Sequence, residues 1–170
     1  MQQLIDDLLT LSALETDAPP PLEDRIEVAA LLEDVRQEIS TLSGGRHRIA
    51  LESTGPAWLL GSARELRSAF ANLAGNAVRY TPQGGAVTLQ WSVDGTSGAR
   101  FAVQDNGIGI AREHLPRLTE RFYRVDRGRS REAGGTGLGL AIVKHVLERH
   151  QAVLQITSEP GLGSTFSAVF

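Results

Sequence analysis

A chain of 170 residues with 41% hydrophobic content can bury one good core, which allows one globular unit plus an appendage. Its net charge of -3 gives no general drive towards nucleic acid or an anionic membrane, so phosphate binding would need a local basic cluster. Cysteine is absent, which excludes structural disulfides and thiolate metal sites, and no apolar run approaches the ~20 residues of a membrane span. No signal-peptide pattern opens the chain, so a soluble piece is expected.

Leu4, Ile5, Leu8, Leu11 and Leu14 space an amphipathic helix over 1–15. A helix so short is marginal alone, and the expectation is that it continues a helical hairpin or packs against a second copy. The prolines at 19–21 break it and favour an extended linker, which puts a boundary at residues 17–22. Arg25–Val28 reads as a strand, and a helix follows over about 29–42, stopped by Ser43-Gly44-Gly45. His47–Glu52 and Ala57–Leu60 read as strands about the turn Thr54-Gly55-Pro56. A helix runs from about Ser62 to Tyr80. Strands at 87–93 and 101–105 form an antiparallel pair, and a helix is expected near 112–121. An arginine-rich loop leads to a last helix ending about 149, and strands 153–158 and 164–170 close the chain. The pattern is an α/β (α+β) two-layer sandwich: a mixed, largely antiparallel sheet of about five strands, covered on one face by about three helices.

Three stretches carry chemistry. In the helix at 62–80, Leu66, Ala69, Phe70, Leu73 and Ala77 make the core stripe, while Asn72, Asn76, Arg79 and Tyr80 share another face. Asparagine is a poor interior helix residue, so two of them one turn apart suggest a use. An amide oxygen suits Mg²⁺, and Arg79 could answer a phosphate; a solvated helix face fits these residues equally well. Asp105-Asn106-Gly107-Ile108-Gly109-Ile110 ends a strand. It reads either as a type I′ hairpin turn or as an aspartate accepting from an exocyclic amine, and the helical pattern after it favours the second. Gly134-Gly135-Thr136-Gly137-Leu138-Gly139 places four glycines in six positions before a helix, whose unpaired N–H groups offer a phosphate seat. Arg121, Arg124, Arg127, Arg129 and Arg131 precede it, a candidate phosphate clamp on a lid, or a solvated loop.

Together, Asn72–Thr81, Asp105-x-Gly107-x-Gly109, Glu120–Asp126 and Gly135–Leu140 resemble the N, G1, F and G2 boxes of sensor histidine kinases, in the family's order and spacing over about 23–170. Leu11–Glu15 resembles the end of the second helix of that family's dimerisation and phosphotransfer hairpin. Glu113–Asp126 and Gly139–His145 are similar to the phosphate-regulon branch of the family. The resemblance implies a GHKL-type fold in which 1–16 is the hairpin end, 17–22 the linker and 23–170 the catalytic ATP-binding domain. It implies that Asn76 ligates Mg²⁺ and that Arg79 and Tyr80 contact phosphate or ribose. Asp105 would hold the adenine amine, with Gly107, Gly109 and Ile110 giving the base room. Arg124 would lie at the γ-phosphate, Gly135, Thr136, Gly137, Leu138 and Gly139 would bind phosphates, and Thr165 would help order the adenine end. Asn72 stands where ATP-hydrolysing enzymes of this fold carry a glutamate base.

The activity implied is transfer of the ATP γ-phosphoryl group to a histidine on a dimerisation domain of the same protein, for relay to the receiver domain of a PhoB-like response regulator. The parent is expected to be a homodimeric, inner-membrane-anchored bacterial sensor, with this segment cytoplasmic and touching neither membrane nor nucleic acid. His47, His114, His145 and His150 all lack a His-Glu-x-x-(Ser/Thr)-Pro context, so each is read as structural or solvated rather than as the phosphoacceptor. His150-Gln151-Ala152 departs from the common His-Gly-Gly at a helix stop remote from the ligand motifs. The rival readings are an ATPase of the gyrase or Hsp90 type and a catalytically degenerate, nucleotide-regulated interaction module.

Overall fold

The computed structural model describes residues 2–16, 18, 24–95, 98–125 and 135–170. In chain order the elements are α1 (Gln2–Thr16), β1 (Arg25–Glu27), α2 (Val28–Ser43), β2 (Arg48–Ser53), β3 (Trp58–Leu60), α3 (Ala63–Tyr80), β4 (Ala86–Asp94) and β5 (Gly98–Asp105). A 3₁₀ helix (Arg112–Arg117), α4 (Gly139–Arg149), β6 (Val153–Glu159) and β7 (Gly163–Val169) follow.

The main sheet has the order β2-β4-β5-β7-β6, antiparallel except for the parallel β2–β4 pair. β1 and β3 form a separate two-stranded ladder, so the strands flanking Thr54-Gly55-Pro56 pair elsewhere and not with each other. Strand alternation sends Val87, Leu89, Trp91, Phe101, Val103, Phe166 and Ala168 to the face that meets the helices, and all are buried. The helices answer with matching stripes: Leu32, Val35 and Ile39 from α2, Leu66, Phe70 and Leu73 from α3, Ile142, Val146 and Leu147 from α4. Phe70 stacks on Phe101 with ring centroids 4.0 Å apart, which fixes α3 over the sheet's centre. Each such buried side chain contributes about 1.5–3 kcal/mol of transfer free energy.

α3 starts on Ser62, whose hydroxyl accepts from the Glu65 N–H at 3.4 Å, and stops at Thr81, which is extended ahead of Pro82. α2 ends in Gly44 with φ 56, whose N–H reaches back to Ser40 and Thr41 carbonyls. The helix expected near 112–121 is instead a short 3₁₀ turn, with Pro116 inside it. Proline has no N–H to donate and its ring crowds the preceding turn, so an α-helix does not propagate there.

α1 lies along α4 of its own chain, with Leu11 and Leu14 in the common core. Its far end is held by Arg149, which donates to the Leu14 carbonyl at 3.1 Å and the Ala18 carbonyl at 2.9 Å. The same guanidinium grips Glu65 of α3 with two bonds of 2.9 and 3.0 Å, and both side chains are about nine-tenths buried. Beside them His150 joins α4 to the start of α3, its ring 2.7 Å from the Val146 carbonyl and 3.0 Å from the Ser62 N–H.

Arg149→Ala strands the Glu65 carboxylate in the interior and is expected to cost about 3–5 kcal/mol, read by urea unfolding. The double replacement Glu65→Leu with Arg149→Met removes both charges and is expected to recover most of that loss.

Candidate functional site

A cavity of about 280 Å³ opens between α3, the Asp105–Ile110 loop and the start of α4. One wall is the polar face of α3: Asn72, Asn76, Arg79 and Tyr80 all line it, spanning about 12 Å along the helix axis at 1.5 Å per residue. Asn72 donates from Nδ2 to the Ser68 carbonyl at 2.9 Å, which leaves its Oδ1 as the free end. Asn76 Oδ1 receives only a long 3.5 Å contact from Arg79, so it too remains available.

At the Tyr80 end sits Asp105, 8% exposed. Burial raises its carboxyl pKa, while N–H donation from Gly107 and Ser164 works against that shift. The Gly107 N–H reaches Asp105 Oδ1 at 2.8 Å. The following loop is no hairpin turn. Asn106 ties it to β4, its Oδ1 accepting from the Ala86 N–H at 2.7 Å, and the Ile108 N–H donates to the Tyr80 carbonyl at 3.2 Å. From the other side the β6–β7 turn holds it: the Gly161 N–H donates to Ile108 O at 2.8 Å and the Ile110 N–H to Ser158 Oγ at 2.8 Å. Gly109 has φ +67, and a Cβ there would run into the Glu159 carbonyl, so no other residue fits so tight a passage.

Another wall of the cavity is built by Gly135, Thr136, Gly137 and Gly139 with Leu140, Gly135 lying near the Tyr80 hydroxyl. A Cβ on Gly139 would stand 2.6 Å from Asn72 Oδ1, so this glycine lets the start of α4 close onto α3. The Phe122 N–H donates to the Gly137 carbonyl at 2.9 Å, joining the segment after the 3₁₀ helix to the glycine loop. Arg124 lines the cavity near that junction, and its Nε and Nη2 are buried without a hydrogen-bond partner among the described residues. Two orphaned donors on a cation are costly unless something anionic answers them, which fits a phosphate there. Arg127, Arg129 and Arg131, read above as parts of a lid, and Gly134 of the glycine run lie outside the described residues.

Twelve of the expected residues therefore meet at one cavity, and three do not line it. Gly107 is packed against the Tyr80 carbonyl beneath the loop. Leu138 is fully buried and its side chain belongs to the core. Thr165 pairs with Gln104 and Thr157 on the outer face of the sheet, while its neighbour Ser164, in register with Asp105, lines the cavity. The period of two along a strand makes a one-residue offset a change of face. Sequence reasoning also missed Leu118, Val125, Phe166 and Gln3 on the wall. Leu118 and Phe166 carried an apolar signal that reads as core, and Gln3 carried none. Tyr123 was visible only as part of a motif; its hydroxyl lies 2.6 Å from His114 Nδ1, and Arg117 stacks on its ring at 4.3 Å.

α1 reaches this end of the site as well. Asp7 accepts from the Thr136 hydroxyl at 2.6 Å, and Glu15 pairs with Arg121 and lies 3.5 Å from His145. Among the described residues no three His, Cys, Asp or Glu side chains gather as a metal site, and no helix is long and apolar enough to cross a membrane.

The family model for histidine kinase-, DNA gyrase B- and Hsp90-like ATPases matches residues 61–170. The chain belongs to this ATPase family. It is 54% identical to the phosphate regulon sensor protein PhoR of Pseudomonas aeruginosa, over all of this chain and 38% of that protein. It is 37% identical to the sensor-like histidine kinase SenX3 of Mycolicibacterium smegmatis, over 98% of this chain and 44% of that one. Among solved structures, full-length ShkA in complex with AMPPNP superposes with a TM-score of 0.83 at 29% identity, covering 98% of this chain and 35% of that one. The chain thus spans about two fifths of the length of the curated relatives it matches. Fold and family agree with the α/β sandwich and the ATP-binding class expected from the motifs.

Asp105→Asn tests the electrostatics of the site without ligand. Because burial raises the Asp105 pKa, the ionised form opposes folding above that pKa, and the penalty fades as the group protonates on acidification. Thermal unfolding of the asparagine variant at pH 7 is expected at or above the parent's temperature, with the gap closing as pH falls towards the ordinary aspartate range.

Proposed function

We propose that this chain is the catalytic ATP-binding part of a sensor histidine kinase, which transfers the ATP γ-phosphoryl group to a histidine carried elsewhere in the parent protein. The observation that carries the reading is the chemistry of the cavity wall. Among the described residues lining it, Asp105 is the one carboxylate, and it sits buried at the Tyr80 end. Among the described lining residues the phosphate end offers amides, glycine backbone, the Thr136 hydroxyl and Arg124, and the nearby Asp7 carboxylate of α1 is engaged by that hydroxyl. Such a site favours holding ATP for transfer over hydrolysing it, which weighs against the gyrase- or Hsp90-type alternative.

In this reading Asp105 accepts from the adenine amine, Gly109 and Ile110 leave room for the base, and Arg79 and Tyr80 contact ribose or phosphate. Gly135, Thr136, Gly137 and Gly139 cradle the phosphates through backbone N–H groups. Arg124, with its orphaned donors, stabilises charge on the transferring group. Asn76 offers a hard amide oxygen to Mg²⁺, whose other ligands would be phosphate and water oxygens. That ion would neutralise phosphate charge and orient the chain. Residues 23–170 form the catalytic unit, and 1–16 continue a dimerisation hairpin of a homodimeric, membrane-anchored parent. A PhoB-like receiver domain is the expected acceptor from the phosphohistidine, in phosphate-starvation signalling, as the likeness to PhoR suggests.

Asp105→Asn is expected to weaken ATP and ADP binding about ten- to a hundredfold by calorimetry, the scale of losing a buried charged hydrogen bond. Undiminished binding would remove the adenine assignment. Arg124→Ala is expected to keep nucleotide affinity within about threefold while slowing autophosphorylation of the parent protein at least about a hundredfold. An unchanged rate would take Arg124 out of the reaction.

A further inference from the structure

Asp105, Ser164 and Ser158 stand side by side across β5, β7 and β6, in register and on the helix-facing side of the sheet. Ser158 Oγ has three neighbours. It accepts from the Ile110 N–H at 2.8 Å, donates to the Gly163 carbonyl at 3.1 Å, and lies 2.8 Å from Ser164 Oγ. A serine hydroxyl has one proton and two lone pairs. Once the proton goes to Gly163 and one lone pair takes the Ile110 N–H, the remaining lone pair can be met only by the Ser164 proton.

We propose that Ser158 fixes the Ser164 hydroxyl with its proton turned away from the cavity, and so makes the Asp105 end of the site selective for a base bearing an amino group. Ser164 then shows only lone pairs to a ligand, beside the Asp105 carboxylate, whose Oδ1 already accepts from the Gly107 N–H. Two acceptors and no side-chain donor suit an amine, which has two protons to give. A base with a carbonyl oxygen at the same position meets lone pairs with lone pairs, and a site built this way rejects it. Ser158 touches no ligand in this account; it is a positioning residue acting through Ser164. The inference rests on the adenine reading given above and adds to it the source of base selectivity.

The test compares ATP with inosine triphosphate, which carries a carbonyl in place of the 6-amino group, by calorimetry on the whole 170-residue chain. The parent chain is expected to prefer ATP. Ser158→Ala frees the Ser164 hydroxyl to rotate and donate, and is expected to narrow the preference by roughly three- to tenfold, the worth of one neutral hydrogen bond. Loss of the Ile110 anchor alone would weaken both nucleotides alike and leave their ratio unmoved. Ser164→Ala, which keeps the Ser158–Ile110 contact, is expected to narrow the ratio likewise. A parent that prefers ATP while both variants keep its ratio would overturn the role of the serine pair and spare the nucleotide reading. A parent with no preference between the two nucleotides would overturn the adenine assignment and this inference with it.

Discussion

One helix has to satisfy two neighbours at once, and the rest of the molecule is arranged around that demand. α3 gives Leu66, Ala69, Phe70, Leu73 and Ala77 to the core and Asn72, Asn76, Arg79 and Tyr80 to the cavity. Because these positions repeat with the helical period, burying the first set aims the second. The stack of Phe70 on Phe101 therefore does more than fill space: it sets the rotation of the helix that carries the polar wall. The helix's apolar packing is a condition for the site's geometry.

The Asp105 end adds a second layer of control. A buried carboxylate is unfavourable unless hydrogen-bonded, and here the backbone around it supplies the donors. The loop that follows is gripped between the Tyr80 carbonyl and the β6–β7 turn, so the cavity-facing backbone is anchored from both sides. At the glycine-loop end α1 makes direct contact through Asp7 with Thr136 and through Glu15 with Arg121.

Much of this was legible in the chain itself, because periodicity and punctuation are local. The stripe of α3, the glycine-to-helix transition at 139 and the alternation of β4 and β5 each follow from spacing alone. What escaped depended on pairing between distant segments. Thr165 and Ser164 are equally plausible from sequence, and only the register of β7 against β5 decides which faces the cavity. Leu138 lies within the glycine motif yet points into the core, since its neighbours' backbone, not its side chain, is what the cavity meets. The turn at 112–117 looked helical by composition, and Pro116 was the warning. The docking of α1 along α4 rests on Arg149, whose contacts with Glu65, Leu14 and Ala18 span more than eighty residues of sequence.

In the proposed function the site holds ATP for transfer and shields it from hydrolysis. This is tested most directly by mixing the purified chain with γ-labelled ATP and a separately purified histidine-bearing hairpin from the same parent. Acid-labile label is expected on the hairpin histidine, with inorganic phosphate released no faster than background. Steady release of inorganic phosphate by the chain, with no label on the hairpin, would contradict it.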